Sequence, residues 1–160
     1  MKSDSLAVRW DGPQLAVTRG GEVADRVSAD DIRRVILVCR GGDTPSHLDF
    51  ALIDTGTEHV LLPASSGIAA PVYFERQAWW TERACIWWLT ARHAPLPRHL
   101  YSGVWLLRRH QPGFLRLPAD QLQALVATWP LEGPQTWEQR RWARGATNRQ
   151  LDVLARRPRV

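Results

Sequence analysis

The stretch that decides the fold is residues 35–62, VILVCRGGDTPSHLDFALIDTGTEHVLL. Residues 35–39 form a continuous apolar run rich in β-branched side chains, which predicts a buried strand. Residues 47–53 begin by alternating between polar and apolar side chains, which predicts a second strand. Residues 59–62 are apolar again, and the turn sequence DTGT at 54–57 favours a hairpin between these two strands. We therefore expect three consecutive strands in the first half of the chain.

The alternation in the second of these strands separates an apolar set of side chains, expected in the core, from a set expected toward solvent. The two sets are Leu48, Phe50 and Leu52, and His47, Asp49 and Ala51. Together with His59 across the hairpin, His47 and Asp49 could form a three-ligand metal site on the sheet surface. A solvent-facing polar surface explains the same alternation more simply. We therefore expect neither a metal nor a cofactor.

The chain before residue 35 also predicts strands. Residues 6–10 and 14–18 have strand-like patterns, and the turn sequence Asp-Gly-Pro at 11–13 separates them. Residues 23–27 are compatible with a third strand. The segment that follows predicts one helical turn with Ser28 at its N-cap and two acidic residues in its first turn.

The end of the chain predicts helices instead. Pro118 precedes a segment, 119–129, whose apolar side chains share one helical face. A second helix is expected after Pro134, and a short last helix follows residue 146. Strands first and helices last indicate an α+β fold with an antiparallel sheet, and not a doubly wound parallel sheet. The usual nucleotide-binding folds are therefore not expected.

The middle of the chain leaves one element open. Residues 72–83 have the spacing of a helix, and the apolar residues 85–89 either extend that helix or form a strand. In terms of organisation, we expect one globular α+β domain over 1–137, strand-rich over 5–62 and mixed over 72–137. A basic C-terminal helical segment or tail, 138–160, is expected to follow it.

Residues 5–62 resemble the strand meander of bacterial pleckstrin-homology-like (PH-like) domains. The resemblance is carried by the hairpin around Gly12, by the segment SADDIRRV at 28–35, and by the hairpin at 54–57. It implies a curved sheet closed by a C-terminal helix and a role as a binding module. It assigns no functional residue.

Composition narrows the class of protein. The chain has 160 residues, 44% hydrophobic and 23% charged, which is typical of one soluble globular domain. Its two cysteines, Cys39 and Cys85, lie far apart, so a structural zinc site is not expected. The sequence shows neither a secretory signal nor a run of about 18 apolar residues that would span a membrane. A cytoplasmic location is the default expectation.

The net charge of +5 is unevenly distributed. Residues 1–137 contain equal numbers of basic and acidic side chains, whereas residues 138–160 contain seven arginines and two acids. The whole excess therefore belongs to the last part of the chain, and any electrostatic partner is expected to bind there.

Tryptophan is the most unusual part of the composition, with nine residues. Four of the nine sit in two adjacent pairs, at 79–80 and at 87–88. Neighbouring side chains point about 100° apart on a helix and to opposite faces on a strand, so some indoles are expected at the surface. We therefore predict that Trp80 or Trp88, with Tyr73 and Phe74, contributes to an interface with a partner protein or with a second copy of the chain.

The basic segment supplies a second candidate surface. Trp137, Arg140, Arg141 and Arg144 have the spacing i, i+3, i+4 and i+7, which is one face of a helix. Aromatic side chains interleaved with arginine suit an acidic protein surface, an anionic membrane surface or a nucleic-acid backbone. No helix-turn-helix, RNA-binding or zinc-finger motif accompanies them, so nucleic acid is the weaker expectation.

These observations favour a non-enzymatic cytoplasmic module that binds a protein partner or a second copy of itself. The binding surface would be the aromatic and arginine-rich C-terminal half. A nucleic-acid-associated factor that uses the basic segment is the first alternative. The second alternative is a small enzyme that uses His93 and His99, which flank a proline-rich loop. No phosphate-binding glycine motif and no GxSxG motif supports catalysis.

Overall fold

The computed structural model describes residues 5–40, 48–68, 86–91, 96–102, 111–112, 114–135, 139–140 and 142. The strands are β1 Leu6–Asp11, β2 Gln14–Arg19, β3 Glu22–Ser28, β4 Arg34–Arg40, β5 Leu48–Asp54, β6 Glu58–Pro63, β7 Ile86–Ala91, β8 Tyr101–Ser102, β9 Gln111–Pro112 and β10 Leu115–Pro118. The α-helix α1 spans Asp120–Val126, and residues 139–140 and 142 also have helical backbone. Short 3-10 turns occupy Ala29–Asp31, Ala64–Ser66 and Arg98–Leu100.

The strands form three sheets. The first is an antiparallel meander, β1-β2-β3, and the second has five strands in the order β10-β6-β5-β4-β7. Strands β8 and β9 pair separately. The predicted α+β class is confirmed in its coarse form, as a mixed and sheet-rich fold. Among the strands that the structure describes, the antiparallel expectation holds for every pair except one, because β7 runs parallel to β4.

Two apolar cores lie on opposite faces of the five-stranded sheet. The first lies between the two large sheets and includes Val8, Leu15, Val17 and Val27 against Val35, Leu37, Ala51, Ile53, Val60, Leu62 and Trp88. The second lies under α1 and includes Leu122 and Val126 against Ile36, Val38, Phe50, Leu52, Leu61 and Leu89. Since each fully buried aliphatic side chain contributes about 1.5–3 kcal/mol, the strands between the two cores dominate the stability.

This layering corrects the expectation of a solvent-facing side on β5 and β6. Asp49 and His59 are only 5% and 2% exposed. The polar–apolar alternation in the sequence suggested one solvent-exposed face. In the structure, the three-stranded sheet covers one side of these strands and α1 covers the other. The polar residues are therefore buried with the apolar ones.

A bulge in β5 corrects the predicted grouping of its apolar residues. Val38 pairs with Phe50 while its neighbour Cys39 pairs with Leu48, so the register shifts by one residue at that point. Because successive strand residues face opposite sides, this shift places Leu48 in the first core and Phe50 in the second. Simple alternation had predicted the same face for both.

Other predicted elements are confirmed, and the segment left open between helix and strand is now assigned. The strands expected at 6–10, 14–18 and 23–27 are β1, β2 and β3, and the helix expected within 119–129 is α1. The helical turn after Ser28 is present, although the Ser28 side chain makes no capping hydrogen bond. Residues 86–91 form a strand, which decides between the two alternatives for this segment. The helices expected over 72–83 and after residue 146 lie outside the described residues.

Residues 132–135 cover the outer edge of β7. Glu132 exchanges two backbone hydrogen bonds with Trp88, each 2.8 Å long, and the Gln135 N–H donates to the Ile86 carbonyl oxygen at 2.9 Å. The chain thus closes one side of the five-stranded sheet just before the basic segment begins. Within the ranges given above, no helix combines the length and apolar composition that a membrane crossing needs.

Candidate functional site

The C-terminal site, formed by Trp88, Arg140 and Trp142, is built on the buried indole of Trp88. Strand alternation directs it into the core between the two large sheets, and the residue is 2% exposed. Its ring N–H donates to the Gln135 carbonyl oxygen at 3.0 Å, so the buried polar atom is satisfied. The neighbouring Trp87 packs partly buried against the core on the other face. The pair is therefore divided between two cores and does not present Trp88 at the surface.

Arg140 completes the cluster. Its guanidinium carbon lies 5.1 Å from the centroid of the Trp88 ring, within cation–π range. One terminal nitrogen donates to the Glu132 carboxylate at 2.8 Å, and the other donates to the Thr90 hydroxyl at 3.0 Å. Arg140 is 3% exposed, whereas the Glu132 side chain is 48% exposed. A nearly buried cation is thus neutralised by a half-exposed acid and fastens the start of the basic segment to β7.

Trp142 lies two residues further on and has the opposite environment. Residues 139–140 and 142 have helical backbone, and Trp142 is 65% exposed. Two positions on a helix are about 200° apart, so an inward-facing Arg140 turns Trp142 toward solvent. Among the described residues, only Val23, at 44%, joins Trp142 as an exposed large apolar side chain.

The structure therefore changes the set of predicted partner-binding residues. Trp88 and Arg140 are brought together, but both are buried, and this corrects the expectation that they form an exposed surface. The remaining six predicted residues, Tyr73, Phe74, Trp80, Trp137, Arg141 and Arg144, lie outside the described residues, and their role stays a prediction. Trp142 was missed, although its position, five residues after Trp137 and off the arginine face, was a usable signal.

A second polar cluster crosses the five-stranded sheet on the side of α1. Arg34 on β4, Asp54 on β5 and His59 on β6 are successive cross-strand neighbours. The Arg34 Nε donates to one Asp54 oxygen at 2.8 Å, and the Gly56 N–H donates to the other, also at 2.8 Å. Both oxygens of the carboxylate therefore have a donor before His59 is considered.

His59 is buried without a close partner for its ring. Its Nε2 lies 3.9 Å from the nearer Asp54 oxygen, beyond hydrogen-bond length. Its Nδ1 finds no hydrogen-bond partner among the described residues. Burial lowers the pKa of His59 below its ordinary value; the negative charge of Asp54 opposes this effect and the positive charge of Arg34 adds to it. The imidazole is therefore neutral at neutral pH.

This arrangement differs from an aspartate–histidine pair that works as a general base. Such a pair needs a carboxylate that accepts a hydrogen bond from the imidazole, and Asp54 is already occupied by Arg34 and Gly56. In the described part of the chain, no three histidine, cysteine or acidic side chains converge in a way that could hold a metal ion. Of the loop histidines in the enzyme alternative, His99 is exposed on a 3-10 turn, and His93 lies outside the described residues.

Comparisons with protein-family models, with curated proteins and with solved structures found no match for this chain. The resemblance of residues 5–62 to PH-like domains therefore stays a prediction. The features that bear on function are therefore the contacts of Arg140 with Trp88 and Glu132 and the exposure of Trp142.

Proposed function

We propose that this protein is a non-enzymatic cytoplasmic docking module that binds an acidic protein partner through Trp142 and the arginines of residues 138–160. The observation that supports it most directly is the contrast between Arg140 and Trp142, which are 3% and 65% exposed although only two residues apart. Tryptophan and arginine are the residues most enriched among the energetic anchors of protein interfaces. The likeness of residues 5–62 to PH-like domains, which implies a binding module, agrees with this proposal.

The fixed position of Arg140 favours binding. A partner that docks on Trp142 meets a side chain whose backbone is already held to the body by the ion pair with Glu132 and by the ring of Trp88. Ordering a flexible segment costs free energy that would otherwise appear as affinity. Because the Arg140 contacts already restrain this part of the chain, less of that cost falls on the binding step.

Charge favours an acidic protein over a second copy of this chain. Residues 138–160 carry the whole excess of five positive charges, while residues 1–137 are neutral in sum. Two copies that met through this segment would bring like charges together, which weakens association. An acidic partner meets an attractive potential instead, and its association should become slower as salt screens the charges.

The test is the binding of a defined acidic peptide to the full-length protein and to two matched variants. The probe is a fluorescein-labelled peptide of glutamate and leucine, followed by fluorescence anisotropy. We expect Trp142→Ala to weaken binding about tenfold, the loss typical of an interface anchor. Val23→Ala, which removes the other exposed large apolar side chain, should bind like the unmodified protein.

Equal binding by Trp142→Ala and the unmodified protein would contradict the proposal. A labelled single-stranded oligonucleotide serves as the competing probe. If it binds more tightly than the peptide at the same salt, and its affinity falls steeply as salt rises, the nucleic-acid alternative replaces the proposal.

A further inference from the structure

The buried imidazole of His59 occupies a junction between three elements. On β6 it pairs across the sheet with Asp54 of β5 on one side and with Leu117 of β10 on the other. Just beyond Leu117, the Ala119 N–H donates to the Thr57 carbonyl oxygen at 3.0 Å, which ties the start of α1 to the same hairpin. Any change in the charge of His59 therefore acts where β10 and α1 join the sheet.

We propose that His59 is an acid-sensitive contact whose protonation releases β10 and α1 from the five-stranded sheet. In the neutral ring, one nitrogen is a donor and the other an acceptor; in the protonated ring, both are donors. The Nδ1 position has no acceptor among the described residues, and the Nε2 position lies 3.9 Å from Asp54. A protonated ring would thus place a charge and two poorly satisfied N–H groups inside the sheet.

The neighbouring charges do not provide a ready counter-ion. Asp54 is already held by Arg34 and by the Gly56 N–H, so its negative charge is largely compensated. The closeness of Arg34 adds repulsion toward a second positive charge. On the remaining side, α1 begins with Asp120, which is exposed to solvent. The protonated ring gains most when water reaches it, and this requires the covering elements to move.

The opposite face of β10 is held in a different way. Arg116 binds Asp25 of β3 and Glu58 of β6, so its guanidinium links the two large sheets. Ordinary carboxyl groups titrate at about pH 4, well below the range in which a free histidine titrates, at about 6.5. His59 is the histidine that the described residues place at this junction, and histidine is the side chain whose ordinary pKa lies between pH 7.5 and 5.5.

Linkage gives the size of the effect. A released state in which His59 titrates at its ordinary value of about 6.5 gains population by a factor of 1 + 10^(6.5 − pH) over a closed state that stays neutral. Between pH 7.5 and 5.5, this factor allows a rise of up to about tenfold. The pKa of His59 in the closed state is lowered by burial, which has the sign that this linkage requires.

Hydrogen–deuterium exchange of the full-length protein at pH 7.5 and 5.5 tests the proposal, after correction for the intrinsic effect of pH on exchange. In the unmodified protein, the amides of residues 115–126 should open more often at pH 5.5, by up to about tenfold. The amides of β1 and β2 should change much less. The rise should disappear in His59→Asn, which keeps a polar side chain but does not titrate, and it should remain in the matched control His99→Asn.

Two results would overturn the proposal. One is the same rise at residues 115–126 in His59→Asn as in the unmodified protein. The other is an equal rise over β1 and β2, which would indicate global unfolding. If His59→Asn does not fold, an NMR titration of the histidine rings in the unmodified protein decides the matter. A His59 ring that takes up its proton at pH 6.5 or above contradicts the proposal, and one that stays neutral to lower pH supports it.

Discussion

Replacing Glu132 by alanine should destabilise the protein more than its exposure suggests. The Glu132 side chain is 48% exposed, and exposed ion pairs usually contribute only about 0–1 kcal/mol. Its partner Arg140, however, is 3% exposed and lies against the Trp88 ring. In Glu132→Ala, the positive charge of Arg140 would remain buried without its carboxylate.

The expected loss of stability in Glu132→Ala lies between two limits. Breaking a fully buried pair from one side costs about 3–5 kcal/mol, because the remaining charge is uncompensated. Water already reaches the Glu132 side of this pair, so the penalty should be smaller, about 2 kcal/mol. Arg140→Ala should cost a similar amount, since it loses the cation–π contact with Trp88 and the hydrogen bond to Thr90. In that variant Glu132 becomes hydrated and carries no penalty of its own.

Urea unfolding followed by far-UV circular dichroism measures these differences. Asp30→Ala, which removes an exposed acid from the 3-10 turn Ala29–Asp31, is the matched control and should lie within about 0.5 kcal/mol of the unmodified protein. The double variant should cost less than the sum of the two single ones, because each alone already breaks the pair. A loss below about 0.5 kcal/mol in Glu132→Ala would refute the buried position of the Arg140 charge.

Three further predictions concern other parts of the fold. Gly133→Ala should destabilise the protein by about 2 kcal/mol, because the added methyl group would lie 2.9 Å from the Ile86 carbonyl oxygen. The control variant Gly12→Ala, whose methyl group has no neighbouring atom within 4 Å, should cost less. Thermal unfolding of both variants measures the difference. Arg116→Ala should lower the free energy of unfolding by about 1 kcal/mol at low salt and by less at 1 M salt, because its ion pairs with Asp25 and Glu58 are partly exposed. A loss of stability that does not change with salt would contradict this. Because the pKa of His59 is lowered in the folded state, the unfolded state binds the proton first, and stability should fall as pH drops below about 6.5; His59→Asn should flatten this dependence in urea unfolding.

Local patterns in the sequence were sufficient for the strands of the first half. Continuous β-branched runs and Gly-containing turns define β1 to β6 because they act within a few residues. The helix α1 was predictable for the same reason, from Pro118 and the apolar face that includes Leu122 and Val126. What these elements share is that their own side chains determine their backbone conformation.

Burial of the polar residues was not predictable in the same way. His59 and Asp49 looked like surface residues because they alternate with apolar ones, and only the second covering layer makes them buried. The parallel pairing of β7 with β4 joins segments about fifty residues apart, which no local pattern encodes. The burial of Arg140 has the same origin, since Trp88 and Thr90 contact it from about fifty residues earlier in the chain.

The sequence therefore predicted only part of the C-terminal site, namely its charge. The concentration of charge in residues 138–160 follows from counting and needs no structure. The directions of the Arg140 and Trp142 side chains do not, because they depend on how this part of the chain packs against β7. Arg140 is the residue that fixes this orientation, and Trp142 is exposed as a consequence.

The short segment 132–135 has a consequence for how other molecules can approach. A bare strand edge invites a neighbouring chain to add its own strand, the route by which sheets extend from one molecule into the next. Here the hydrogen-bonding groups of Ile86 and Trp88 along that edge are already taken by Gln135 and Glu132. A molecule arriving at this end therefore cannot lengthen the sheet at these positions. It must recognise side chains instead, so that selectivity at this end comes from amino-acid identity and not from generic backbone pairing.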